Sequence, residues 1–587
     1  MTALHAPRPV RIGLAVIAAA ALVSSLTLVT AGTATAGNPS LAKNSHGHLD
    51  NGKALPHVSG GTEVAFDQER AEAADAASGT TAGSDLPPDV TATAVGCANR
   101  GSATNPRVNQ DCTARRQAEE QIAINPSDPT NIVAGQNDSR IGFNHCGFDY
   151  SLDSGKTWGD GIPPYSQHLS PVGHVYDAAS DPTVTFAGAP STAWYSCIVF
   201  DINTNASGLF ASPSTAGLKG SAYANIAAGA SRFVVAETAD GHTFFDKQFI
   251  AGGPDGSVYV TFTRFLSDQK CSKGNNPGAY CSSEIFLSKW DPTAKFGTET
   301  TGHGAWSTPI SISGASKALC SGGNANDKKA DPTACNFNQG SMPVVLADGS
   351  VFVVFNNGNT PTLLNQQLGR TVSAAGLPTG SVIKVGQDDE TKLGLCDFGR
   401  GAEECVLGLN VRTNDFPAIS TDPANPRHLV AVWQDSRRSD ATHGNYNLVV
   451  SDSTDGGSSW SDATGGGTVI TAGTGSLSQP SVTVTASGRT AVSAYRATAQ
   501  VSAPGDGTFG YGMYVRPDGG AFGTFTLVSD DPKLPSPQAN VAQRGFLGDY
   551  SSIDSVGETV YPIWADTRNS SSAGPDEDIF VKAVTVG

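Results

Sequence analysis

The sequence predicts an all-β chain folded as a single β-propeller of four-stranded antiparallel blades with tight-turn boxes, seven blades by preference and six as the alternative. Three observations predict it: a recurring strand–turn–strand unit, a composition suited to many short strands, and a length that seven units fill. Of 587 residues, 67 are Gly and 34 Pro, and only 16% are charged. Turn formers are therefore plentiful, as short strands require.

The recurring unit is a polar or acidic residue, a short apolar strand, a turn, and a second strand rich in Val, aromatics and Trp. Its clearest copy is DFPAISTDPANPRHLVAVWQDSR, Asp415 to Arg437. In the copy beginning at Glu119, DPTNIVAGQNDSR aligns without gaps on NPRHLVAVWQDSR. Further copies start at Asp181, Asp246, Gln339, Gln479 and Asp549. Seven units between Glu119 and Gly587 average about 67 residues, enough for a four-stranded blade with generous loops. Third and fourth strands are legible as YNLVVSDST with GGTVITAG, and EIFLSKWD with WSTPISIS. The last unit ends after DIFVKAVTVG, so DVTATAV (Asp89 to Val95) is expected to supply its fourth strand and leave no open edge.

Ahead of the repeats, Arg8 and Arg11 precede an apolar run from Ile12 to Val29 that ends in Ala34-Thr35-Ala36. This predicts a signal peptide over 1–36 and a secreted, extracellular protein. Residues 37–88, poor in large apolar side chains, read as a flexible leader or pro-segment, and 89–587 as the propeller. An even number of cysteines in an exported chain predicts disulfides. Sequence neighbours pair as Cys97/Cys112, Cys271/Cys281, Cys320/Cys335 and Cys396/Cys405, leaving Cys146/Cys197. A net charge of −17 argues against nucleic acid and anionic membrane as partners. No GxSxG elbow, HExxH pair or dinucleotide fingerprint is present, and the histidines do not cluster in sequence.

Two octapeptides, SLDSGKTW (Ser151 to Trp158) and STDGGSSW (Ser453 to Trp460), share the pattern S-x-D-x-G-x-T/S-W, with degenerate copies at Thr238–Phe244 and Arg516–Phe522. In these motifs the chain resembles the sialidase-like family of secreted propellers with BNR, or Asp-box, repeats. Asp153 and Asp455 can accept backbone N–H groups within a tight turn. The glycine two residues on supplies positive φ, and Trp158 and Trp460 offer a large ring to the sheet. The resemblance implies that these boxes join third to fourth strands, away from the active face, and are structural.

On the other face, the inner strands begin with Glu119 and Glu120, Asp181, Asp246, Gln339, Asp415, Gln479 and Asp549. The second strands end with Asp138 and Arg140, Arg264, Asp435 and Arg437, Arg496, and Asp566 and Arg568. Carboxylates and guanidinium groups should converge at the mouth of the central channel. One reading is structural: Asp-Ser-Arg or Asp-Thr-Arg, present three times, caps loops and pairs charges. The other is a site, in which arginine forks bind a ligand carboxylate. Crowded carboxylates would have raised pKa values or hold a structural Ca²⁺, with no cofactor otherwise required.

A retaining sialidase uses three arginines on the sugar carboxylate, a Tyr nucleophile with a Glu partner, and an Asp acid. The resemblance places Arg140, Arg437 and Arg568 in the clamp, with Arg264 and Arg496 also at the rim. It makes Tyr550 the nucleophile, Glu119 or Glu120 its partner, and Asp549 or Asp415 the acid. Two departures stand out. Gly142 in SRIGF replaces the proline of the family's Arg-Ile-Pro signature, and no isolated Tyr–Glu couple matches. The implied activity is a secreted glycoside hydrolase, acting as a monomer on an acidic or amino sugar, with an acidic glycan as partner. The alternatives are a non-catalytic propeller binding glycan or protein, and a polysaccharide lyase.

Overall fold

The computed structural model describes residues 104–587, except for 112, 114–115, 142–143, 202–205, 225–230, 268–279, 325–326, 328, 398–401, 440–444, 474, 498–506, 536–544 and 571–575. The expected signal peptide, leader and Asp89–Val95 strand lie outside the described residues, as do Cys97, Cys112 and Cys271.

The described residues contain no α-helix. They form seven antiparallel meanders of four or five strands paired in chain order, except that the last short strand of three sheets pairs with a strand before its chain neighbour. Their first strands are Gln117–Ile124, Ala178–Ala187, Thr243–Gly252, Asn338–Val345, Ala418–Thr421, Ser476–Val484 and Ser552–Val556. These are the seven repeats of the sequence, called here sheets one to seven. An eighth, three-stranded sheet (Leu395–Asp397, Ala402–Val406, Val411–Arg412) is inserted between sheets four and five.

The second strands show why the repeat reads as a continuous apolar run. Ile132–Asp138, Val351–Asn357 and Leu429–Asp435 are buried at every position. A strand covered on both faces has no solvent side to alternate with. The cover comes from neighbouring sheets. Trp194, Ile198, Val260 and Trp290 fill the space between sheets two and three. Phe352, Val354, Trp433 and Trp460 fill that between four and five. Sheet seven shares its core with sheet six through Tyr511 and Trp564, and with sheet one through Ile122, Ile132 and Tyr561. First strands touch in order from sheet one to sheet seven, and the first strand of sheet seven touches that of sheet one.

In sheet seven, the outer side of Asp578–Val581 is paired by residues around Arg107. Val108 N–H donates to Ile579 O at 2.7 Å, and Arg107 faces Phe580 in an antiparallel bridge. These residues lie C-terminal to the Asp89–Val95 segment expected in that place, which is outside the described residues. WSTPISIS is split into two short pieces, Ala305–Trp306 and Ile310–Ser311, both paired to Tyr280–Asp291.

Among the described residues, disulfides join Cys320 to Cys335, Cys396 to Cys405, and Cys146 to Cys197, the last tying the third strand of sheet one to the second strand of sheet two. Cys281 is disulfide-bonded as well. Such bonds are consistent with an extracellular protein, and no described helix is long and apolar enough to cross a membrane.

The two octapeptides fold alike, each between third and fourth strands. Asp153 Oδ1 accepts Lys156 N–H at 3.1 Å and Thr157 N–H at 2.9 Å, and Oδ2 accepts the Thr157 hydroxyl at 2.7 Å. Asp455 accepts Ser459 N–H at 2.9 Å and its hydroxyl at 2.6 Å. Gly155 and Gly457 take φ of 80° and 89°. Trp158 and Trp460 each donate Nε1–H to the carbonyl of that glycine, at 3.0 and 3.1 Å. Trp460 is buried and Trp158 half-buried. Of the degenerate copies, Arg516–Phe522 also follows a third strand, whereas Thr238–Phe244 connects sheet two to sheet three.

Candidate functional site: a buried charged centre

Five first strands lose register at the same point, after Ala118, Ser180, Asp246, Gln339 and Ser478. The residue next in chain lies in the left-handed region: Glu119 (φ 59°), Asp181 (59°), Lys247 (51°), Gly340 (63°) and Gln479 (50°). A bulge of this kind re-aims a side chain. For a residue with a Cβ the conformation costs on the order of 1–2 kcal/mol. Four sheets nevertheless keep a charged or amide side chain there, and such strain concentrates at functional sites.

Three of those side chains meet. Lys247, wholly buried, has Nζ 3.0 Å from Glu119 Oε1, 3.1 Å from Asp181 Oδ2 and 2.7 Å from Asp549 Oδ2. One lysine thus joins carboxylates from sheets one, two and seven. Arg412, from the inserted small sheet, puts Nη2 2.7 Å from both oxygens of Asp549. Asn137 Nδ2 donates to Glu119 Oε2, and Asn414 Nδ2 donates to the Asp549 carbonyl at 2.8 Å. Gly548 is required here: its φ is 103°, and a Cβ would sit 2.7 Å from Glu119 N. Phe546 lies between the Arg116 and Arg412 guanidinium groups, 5.0 and 4.4 Å from its ring centre. The Tyr550 ring meets Phe249 edge-on at 4.9 Å and lies 5.6 Å from Lys247 Nζ. Its hydroxyl is buried without a hydrogen-bond partner.

The carboxyls are held in opposite states. Burial, with the negative charges of Asp181 and Asp549, pushes Glu119 well above the usual carboxyl range despite Lys247. That shift biases Glu119 toward its protonated form. Burial opposes ionisation of Asp181 too, but Lys247 outweighs it and holds Asp181 below its ordinary value. Asp549 is held lower still, because Arg412 and Lys247 together overcome its burial. Burial alone would lower the Lys247 pKa, and Asp181, Asp549 and Glu119 outweigh it and raise it. The Tyr550 phenol is pushed well above 10, first by burial and then by Asp181, Glu119 and Asp549.

The predicted site residues separate into groups. Glu119, Asp549 and Tyr550 come together at this centre, but Asp549, expected as an acid, is an ionised, doubly paired carboxylate. Glu120 points elsewhere, toward Tyr495 and Glu577, and burial raises its pKa well above normal. Arg140 donates Nε–H to Asp138 at 2.6 Å and Nη2–H to Asp160 at 2.6 Å. Arg437 repeats this with Asp435 at 2.5 Å and Asp462 at 2.9 Å, and Arg568 with Asp566 and Asp530, both at 2.9 Å. Each of the three guanidinium groups is closed on carboxylates of its own surroundings. Arg264 and Arg496 stack on Phe286 and Phe525, at 4.0 and 5.2 Å.

Asp415 lies in a second acidic group with Asp388 and Glu390, where one carboxylate oxygen from each lies within 4.8 Å of the other two. His174, Asp177 and Asp201 form another group of that size nearer the surface.

Sequence reasoning missed Lys247 and Arg412. The repeat pointed to Asp246, but the bulge turns the next residue to the centre. Arg412 belongs to an insertion outside the repeat, so no periodic signal marked it.

No protein-family model matches the chain, and no curated protein matches it. Among solved structures, a Trypanosoma rangeli sialidase in complex with 2,3-difluorosialic acid aligns over 82% of this chain and 57% of its own, at 11% identity and TM-score 0.37. A protein of unknown function from Dyadobacter fermentans aligns over 83% of this chain and 99% of its own, at 9% identity and TM-score 0.41. A Penicillium chrysogenum alpha-L-arabinanase complexed with arabinobiose aligns over 69% and 92%, at 11% identity and TM-score 0.35. The chain thus spans little more than half the length of the trypanosomal sialidase. These superpositions are too loose to bear on chemistry, which rests on the residues themselves.

Proposed function

We propose that the chain is an exported seven-bladed β-propeller that hydrolyses a glycosidic bond at the centre of its ring, on an uncharged or amino sugar. Seven sheets in chain order, first strands touching round to sheet one, and the N-terminal segment beside Asp578–Val581 support the blade count and closure. The observation that carries the chemistry is the convergence of Glu119, Asp181 and Asp549 on the buried Lys247, where burial biases Glu119 toward its protonated form and Lys247 biases Asp181 toward its ionised one. Glu119 keeps a proton to give, while Asp181 and Asp549 stay ionised. Environments that drive neighbouring carboxyls apart in pKa assign acid and base in glycosidases. Glu119 is then the proton donor to the leaving oxygen once the sugar displaces its hydrogen bond to Asp181, and Asp181 the stabilising carboxylate. Asp549 is too firmly paired to move a proton. Tyr550 stays a phenol and donates a hydrogen bond to the sugar rather than attacking it.

The charge balance supports the substrate class. With Glu119 neutral, Lys247 and Arg412 are offset by Asp181 and Asp549, so the centre has no surplus positive charge for a sugar carboxylate. The arginines expected to clamp one are already closed on Asp. Glu119 and Tyr550 are 1% and 5% exposed, so admission of a sugar requires the centre to open.

The test is turnover of a fluorogenic panel (neutral glycosides, hexosaminides and a sialoside) by the full chain and by Glu119→Gln. Gln keeps the neutral shape that Glu119 already has, so the fold should survive. Loss of the proton donor should cut turnover by about 10²–10⁴-fold. Undiminished turnover by E119Q, or cleavage of the sialoside alone, would overturn the proposal. A second reading, a non-catalytic glycan- or protein-binding propeller, is favoured by the closed arginines and the sealed centre. It gains if folded protein cleaves nothing in the panel.

A further inference from the structure

The second acidic group stands apart from the centre just described. Asp388 is the penultimate residue of the fourth strand of sheet four, Pro378–Asp389; Glu390 follows the strand, and Asp415 leads into Ala418–Thr421 of sheet five. The two arms are separated by the inserted small sheet with its Cys396–Cys405 bond. All three carboxyls are buried, Asp388 completely.

Within this group the oxygens are incompletely used. Asp388 Oδ2 accepts Asn356 Nδ2 at 2.6 Å and Gln367 Nε2 at 3.2 Å, but Asp388 Oδ1 accepts nothing. Asp415 Oδ1 is likewise buried without a partner. Gln367 spends its Nε2 on Asp388 and on the Asp415 carbonyl, at 2.9 Å for the latter, and leaves its own Oε1 unpartnered. Three orphaned oxygens thus sit where two sheets meet, all of them acceptors.

Positive charge is short. Glu404 and Asp435 add two carboxylates to the field at Asp388 and Asp415. The guanidinium acting on Asp388 is that of Arg437, which is committed to Asp435 and Asp462. Buried anions without a counter-charge are among the most expensive arrangements in a folded protein. The spacing suggests what is missing. Oxygens within 4.8 Å of one another fit around one ion with bonds of about 2.4 Å, the range of Ca²⁺, whereas Mg²⁺ needs about 2.1 Å in a stricter octahedron. An all-oxygen donor set excludes the softer metals as preferred occupants.

We infer that Asp388, Glu390 and Asp415 form a Ca²⁺ site that clips sheet four to sheet five across the inserted small sheet. The inference does not depend on the chain being a glycosidase.

The experiment uses the full chain, dialysed against EDTA and then titrated with CaCl₂ or MgCl₂ by isothermal calorimetry and thermal melting. Binding of one Ca²⁺ per chain, a rise in Tm with Ca²⁺, and a smaller rise with Mg²⁺ are expected. Asp415→Asn should abolish the Ca²⁺ response. Because it relieves repulsion in the empty group, its Tm in EDTA should equal or exceed that of the parent. Asp177→Asn, in the group with His174 and Asp201, should leave Ca²⁺ binding unchanged and separates the two candidates. The inference is overturned if folded parent binds no Ca²⁺ at millimolar concentration. It is equally overturned if binding survives D415N or disappears in D177N.

Discussion

Replacing Lys247 by Met tests the architecture of the centre. The side chain fills a similar volume but removes the cation facing Glu119, Asp181 and Asp549. The damage should fall unevenly. Burial already biases Glu119 toward its neutral form, and Asp549 keeps Arg412. Asp181 loses its ion-pair partner and becomes a buried, uncompensated carboxylate. Breaking one buried pair costs about 3–5 kcal/mol. Near 60 °C, unfolding entropy of roughly 2 cal/mol/K per residue over about 480 residues is ~1 kcal/mol/K, so Tm should drop by about 3–5 °C. Adding Asp181→Asn should restore most of the loss, since it removes the stranded charge. The sign with pH also follows. Asp181 has a lowered folded pKa, so its stabilisation is present above about pH 4 and lost as pH falls through that folded value. The gap between parent and K247M should therefore be widest at neutral pH and close under acid. Differential scanning of the parent, both single variants and the double variant measures this. A K247M variant within 0.5 °C of the parent, or a double variant showing the plain sum of two losses, would refute the reasoning.

Three further outcomes follow from particular contacts. Gly548→Ala combines positive φ with a Cβ against Glu119 N, and should destabilise by about 2 kcal/mol or more in urea unfolding. Tyr550→Phe removes a buried hydroxyl without a partner, so stability should be unchanged or rise by up to about 1 kcal/mol, while turnover falls if the phenol donates to the sugar. His428 lies between Asp452 and Asp422, with Arg516 also on Asp452; the Asp452 bond, then Asp422, raise its pKa against burial. A raised folded pKa means stabilisation that is full below about pH 6.5 and lost as pH rises through the folded value. His428→Gln should therefore destabilise more at pH 5.5 than at pH 8.5, as read by urea midpoints.

Much of the fold was legible because the repeat is written in residue type. Seven polar-then-apolar units found seven sheets, and S-x-D-x-G-x-T/S-W found two identical turns. The Thr238–Phe244 copy misled because its Asp240 closes a similar tight turn, one residue shorter, in a connection between sheets. The centre was only half legible. Glu119, Asp549 and Tyr550 carry chemistry that stands out in a list of residues. Lys247 did not, because a one-residue bulge decides whether Asp246 or Lys247 faces inward, and bulges leave no pattern in composition. The three Asp-x-Arg repeats look alike whether the arginine reaches a ligand or turns back on its own Asp. Only the structure separates these, and in it each arginine turns back on an Asp.

Everything said of the centre turns on a proton at Glu119. Infrared difference spectra of the parent against Glu119→Gln at pH 7 read it directly, through the carbonyl band of a protonated carboxyl group. The charge balance predicts that band in the parent and its loss in E119Q. If the difference instead shows a carboxylate band, Glu119 is ionised, and both its role as proton donor and the neutral character of the centre are contradicted.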